Sequence, residues 1–104
     1  MKTIYLLMLP IQLTGCSNGY ADGRYCAEID VHSFRTDKDS YYTLPIEVKD
    51  NKVVKIFWSN GGWLDETHFD TEEATLDFSD KTALFEDDRE RMFLVKIIND
   101  ENCN

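Results

Sequence analysis

Apolar and polar residues alternate with a period of two along much of this chain. Between Arg24 and Phe34, Tyr25, Ala27, Ile29 and Val31 fall on one side of an extended backbone, and Glu28, Asp30 and His32 on the other. Successive side chains of a strand point to opposite faces, so this run predicts a strand with one buried face. Tyr41 to Lys49 repeats the pattern, with Tyr42, Leu44, Ile46 and Val48 in phase. Pro45 falls on the opposite face and has no N–H to donate, which predicts an edge or a bulge there. Val53 to Trp58 forms a third run, set off by Asp50-Asn51, the length and composition of a two-residue hairpin turn. Shorter apolar runs follow at Ala74 to Phe78, Thr82 to Phe85 and Met92 to Ile98. The polar stretches Arg35 to Ser40, Ser79-Asp80-Lys81 and Asp87-Asp88-Arg89-Glu90 read as turns.

No apolar stripe of helical period is sustained. The best helical stretch is a turn or two around Asp70 to Ala74, with Thr71 as its cap. About six short strands separated by turn signals predict an all-β fold, a small antiparallel sheet either rolled or sandwiched. The 104 residues suffice for one domain, and 12 % aromatic content excludes a disordered tail.

The first residues break the alternation. Lys2 precedes the mostly apolar run Ile4 to Leu13, the plan of a secretory signal. A membrane-spanning helix needs roughly 20 apolar residues, more than this run supplies. Leu13-Thr14-Gly15-Cys16 then resembles the lipobox of bacterial lipoproteins, in which a cysteine thiol accepts diacylglycerol before the signal peptide is removed. The resemblance implies a signal peptide over 1–15, a lipidated Cys16, a short polar tether over 16–23 and a β-rich domain over 24–104. Acyl chains, palmitate among them, would then hold the protein to a membrane. Ser17 rather than aspartate follows Cys16, which by the sorting rule of such lipoproteins directs the chain to the outer membrane, and the lack of an acidic run after it to the periplasmic face.

Three cysteines are present. With Cys16 lipidated, Cys26 and Cys103 remain, and an oxidising compartment favours a disulfide between them over two buried thiols. Such a bond is worth about 4 kcal/mol in the chain-entropy account.

Two segments carry a further resemblance. Tyr20-Ala21-Asp22-Gly23-Arg24-Tyr25-Cys26-Ala27-Glu28 and Asn60-Gly61-Gly62-Trp63-Leu64-Asp65-Glu66-Thr67-His68-Phe69 resemble motifs of small envelope lipoproteins of Bacteroidetes-type bacteria. Ser59 departs from that pattern, which has proline there. The resemblance implies location and fold, and brings no assigned activity.

Trp63, Asp65, Glu66, His68 and Asp70 form the candidate binding set. Imidazole and carboxylates suit zinc or another divalent ion, but the chain has two histidines and no EF-hand spacing, so no metal or other cofactor is expected. Asp65 and His68 supply two parts of a triad, and no serine sits in a nucleophile elbow, so no catalytic residue is assigned. Trp58, in phase with Val54 and Ile56, is expected inside; Trp63, after two glycines, is expected exposed, where it suits stacking on a sugar.

The formal net charge is −9, and between Asp65 and Glu90 eleven acids stand against Lys81 and Arg89 alone. Nucleic acid is excluded as a partner, because phosphate contacts need cations. The acidic segment is either a solvated face or a surface for a basic protein. The sequence therefore points to a lipid-anchored envelope protein that binds a ligand without catalysis. The alternative is an immunity-type inhibitor of a basic envelope-acting toxin or wall hydrolase, and the third reading is a metal-dependent or sugar-acting enzyme.

Overall fold

The computed structural model describes residues 19–99 and Cys103. The expected signal peptide and Cys16 lie outside the described residues. Six strands follow one another: β1 (Gly23–Ser33), β2 (Lys38–Lys49), β3 (Lys52–Phe57), β4 (Trp63–Asp65), β5 (Thr82–Glu86) and β6 (Arg91–Asn99). They form one sheet in the order β4-β3-β2-β1-β6-β5, and every neighbouring pair is antiparallel.

The alternation read from the sequence decides which face is inside. Ala27, Ile29 and Val31 of β1, Leu44, Ile46 and Val48 of β2, and Phe93, Val95 and Ile97 of β6 all bury on one side. The sheet curls round that side into a half-barrel. Trp58, at the end of β3, lies with its ring 6.4 Å from that of Phe93 on β6, although β2 and β1 separate the two in the sheet. The open side is covered by the connection 66–81, which leaves edge strand β4 and returns at the opposite edge, β5. Its Phe69, Ala74 and Leu76 are buried in the core. Val53 N–H donates to the Ala74 carbonyl (3.0 Å), and Leu76 N–H to that of Asn51 (2.9 Å). The sheet is thus rolled, with its own loop as the second layer.

Two expectations about elements are corrected. Ala74 to Phe78 is not a strand; it meets the sheet only at the isolated bridges Lys52↔Thr75 and Asp77↔Thr82, because turns on either side leave too little length for a ladder. The sixth strand is instead β4, only three residues long, in which a period of two has no room to show. The helical stretch is a single turn over 71–74, and Asp70 rather than Thr71 caps it, accepting the Glu72 N–H at 2.9 Å. Without an apolar stripe to bury, one turn has nothing to extend it.

Other features follow the residue chemistry. Asp50 and Asn51 both have positive φ (54° and 62°), as a two-residue type I′ hairpin requires. Pro45 is the first residue of β2 beyond the last β3 pair, Ile46↔Ile56, so its missing donor falls where β2 becomes an edge. Cys26 and Cys103, 77 residues apart in sequence, form a disulfide with a Cα–Cα distance of 4.9 Å. Packing reaches upstream of Arg24: Tyr20 N–H donates to Asn51 Oδ1 (2.8 Å), and its ring packs against Tyr25 and Phe78.

Candidate functional site

Residues out of phase with the core build the outer face of the sheet. Asp30 on β1 lies opposite Tyr41 on β2 and Leu94 on β6, and Leu94 lies opposite Leu84 on β5. One step along, Glu28 lies between Thr43 and Lys96. Same-face neighbours on adjacent strands stand about 5 Å apart, so each row is a continuous surface. Glu28, Asp30, Tyr41, Thr43, Leu94 and Lys96 line a shallow depression of about 460 Å³ on β1, β2 and β6. Tyr41 is 74 % exposed, and Leu84 and Leu94 are also exposed. Large apolar side chains held in a row on a solvated face are a common mark of a contact surface.

Trp63 extends the same face toward edge strand β4. It is 57 % exposed, as its sequence context predicts, while Trp58 packs against the core. Trp63 pairs with Phe57 across β4 and β3. The Lys55 ammonium lies 5.3 Å from the Trp63 ring centre, and the Arg24 guanidinium 4.0 Å from that of Phe57. Cations over aromatic faces hold these rings in place from one side.

The remaining candidates point to local partners. Asp65 Oδ1 accepts the Thr67 hydroxyl (2.6 Å) and backbone N–H (3.1 Å), which hold the Asp65 carboxyl below the usual carboxylate range. His68 Nδ1 lies 2.8 Å from Asp88 Oδ2, and that hydrogen bond lowers the Asp88 pKa. Asp70 caps its turn, and Glu66 is exposed. The His68 contact is therefore with the β5–β6 turn, not with Asp65 as a triad pairing needs. Among the described residues, no three histidine, cysteine or acidic side chains are grouped to hold a metal ion.

The acidic segment has a local structural cause. Asp65, Asp70, Asp77, Asp80 and Asp87 each accept the backbone N–H two residues onward, at 2.9–3.3 Å. Only a short side-chain oxygen closes such a turn, so aspartate recurs at the corners of a loop-rich segment. Hydrogen bonds from the Ser79 hydroxyl and N–H likewise lower the Asp77 pKa.

Two features escaped the sequence reading. Asp87 is buried and paired with Arg91, whose Nε and Nη2 donate to Oδ2 at 2.8 and 2.7 Å. Beside it, Phe69, Phe85, Phe93, Trp58 and Tyr42 form a chain of ring contacts at 4.5–6.4 Å across the concave side. Single apolar positions in five separate segments carry no shared period, so nothing in the sequence joins these rings. Comparison with protein-family models, curated proteins and solved structures finds no match for this chain.

Proposed function

We propose that this chain is a lipid-anchored protein of the bacterial envelope that binds a partner through the outer face of its sheet and performs no catalysis. The observation that carries the binding reading is the row Tyr41, Leu94 and Leu84, three exposed large side chains aligned across β2, β6 and β5 with Asp30 between them. The anchor reading rests on the apolar run and lipobox ending at Cys16, and the outer-membrane placement on Ser17. The Cys26–Cys103 disulfide supports export, since such bonds persist in oxidising compartments. Asp65 and His68, nearest in the sequence to catalytic chemistry, are each engaged by a neighbour that shapes a loop.

A second reading, an inhibitor of a basic toxin or hydrolase, draws on the acidic segment. Five of its aspartates close turns, and Glu66, Glu72, Glu73, Glu86 and Glu90 stand exposed to meet a basic partner. Site-directed photo-crosslinking in cells making the full chain separates the two. A probe at position 41 is expected to give a discrete adduct that Leu94→Asp abolishes. Adducts from positions 72 and 73 alone would move the binding surface to the acidic loop. No adduct from any of these positions would overturn the binding reading.

A further inference from the structure

The fold begins unusually close to the proposed anchor. Only Ser17, Asn18 and Gly19 separate Cys16 from Tyr20. Tyr20 is fastened by its N–H to Asn51 Oδ1 and by its ring to Tyr25 and Phe78. Asp22 Oδ1 accepts the Asp50 N–H at 2.9 Å, and a Cβ on Gly19 would lie only 3.1 Å from the Asn51 side chain. The segment from Gly19 to Asp22 is thus seated on the β2–β3 turn rather than free of it. Four residue steps span at most ~14 Å when fully extended. If Cys16 carries acyl chains in the membrane, Tyr20 lies within that distance of the headgroup layer.

The surface round Tyr20 suits that place. Phe78 is 49 % exposed and Ile98 43 %, which leaves two large apolar side chains uncovered beside the tyrosines. Tyr20, Tyr25, Ile98 and Lys81 line a depression of about 450 Å³. Tyrosine rings with a polar tip and a lysine with a long apolar stem both favour the membrane–water boundary. Asp22 meets Asp50 two residues from Tyr20, and Asp80 acts on the Tyr20 hydroxyl, against Lys81 in the depression, an acidic balance that disfavours anionic lipid.

We propose that the end of the half-barrel around Tyr20, Phe78 and Ile98 lies on the membrane, with these side chains among zwitterionic lipid headgroups. The proposal rests on lipidation at Cys16. It also orients the molecule. Strand β1 rises from this end over eleven residues, about 35 Å, so the turns at 34–37 and 87–90 point away from the membrane.

The test compares the acylated chain on phosphatidylcholine vesicles with a soluble form begun at Ser17, which lacks the apolar run and Cys16 and keeps every described residue. A membrane-impermeant amine reagent is expected to label Lys81 several-fold less in the vesicle-bound protein, with Lys38 at the far end unchanged. The double substitution Phe78→Asp, Ile98→Asp should restore Lys81 labelling while the protein stays on the vesicle; both sites are exposed, and an unchanged Tm checks the fold. Intact mass reports acylation separately. An unacylated chain would overturn the anchor reading itself. An acylated chain with Lys81 labelled as in the soluble form, or with Lys38 protected instead, would overturn the seating alone.

Discussion

Asp87 has no exposed side-chain surface, yet it keeps a full set of donors. The N–H groups of Arg89 and Arg91 reach Oδ1, and the Arg91 fork reaches Oδ2. Arg91 also lies 5.3 Å from the Phe93 ring centre and 6.0 Å from that of Trp58, so the pair clamps one end of the aromatic row. Removing one member of a buried pair strands the other, at a cost of about 3–5 kcal/mol. Asp87→Ala should lower stability by that order in urea unfolding, and a loss below about 1 kcal/mol, the range of exposed pairs, would refute the clamp. The sequence showed Asp87-Asp88-Arg89-Glu90 as a turn and no more. Burial of a carboxylate depends on what folds over it: Phe69 bridges Asp87, and its partner Arg91 lies against Trp58 and Phe93, residues far apart in the chain.

At the scale of elements, the connection 66–81 and the β5–β6 turn are clasped together. Asp88 N–H donates to the His68 carbonyl at 2.9 Å, the two side chains meet at 2.8 Å, and Phe69 bridges Asp87. The hydrogen bond from His68 lowers the Asp88 pKa from its ordinary 3.8. A carboxyl whose pKa is depressed in the folded state adds stability above its unfolded pKa and loses it as pH falls through the folded value. Tm should therefore fall more steeply below about pH 4 in the native chain than in Asp88→Asn. Identical acid limbs would show that the clasp carries no linkage. The strands around this clasp were legible because β1 and β2 hold a period of two over several residues, while β3, β5 and β6 are apolar runs bounded by turn signals. β4 was not, being too short to show one, and Ala74 to Phe78 misled because its buried Ala74 and Leu76 plug the core without pairing as a strand.

For the whole molecule, the disulfide joins β1 to the C-terminal region across 77 residues. Cross-linking so long a loop restricts the unfolded chain most, and losing such a bond costs small exported domains about 2–5 kcal/mol. Cys103→Ser should lower stability by that order, checked by comparing thermal melts with and without reductant; reductant should then have no further effect on the variant. The same scale decides what the candidate binding residues do. Trp63 was legible as exposed from the glycines before it, whereas the row of Tyr41, Leu94 and Leu84 was not, since it runs across strands distant in sequence. Residue order by itself determined the longer strands, the face that β1 and β2 bury, the Asp50-Asn51 turn and the cysteine pair, because these depend on local period, turn chemistry and cysteine count. Only the tertiary structure decided that β1 lies between β2 and β6, that the sheet rolls and closes on its own loop, and that five of the eleven acids between Asp65 and Glu90 are spent on corners. Those outcomes depend on register and curl, which bring together side chains that share no local pattern.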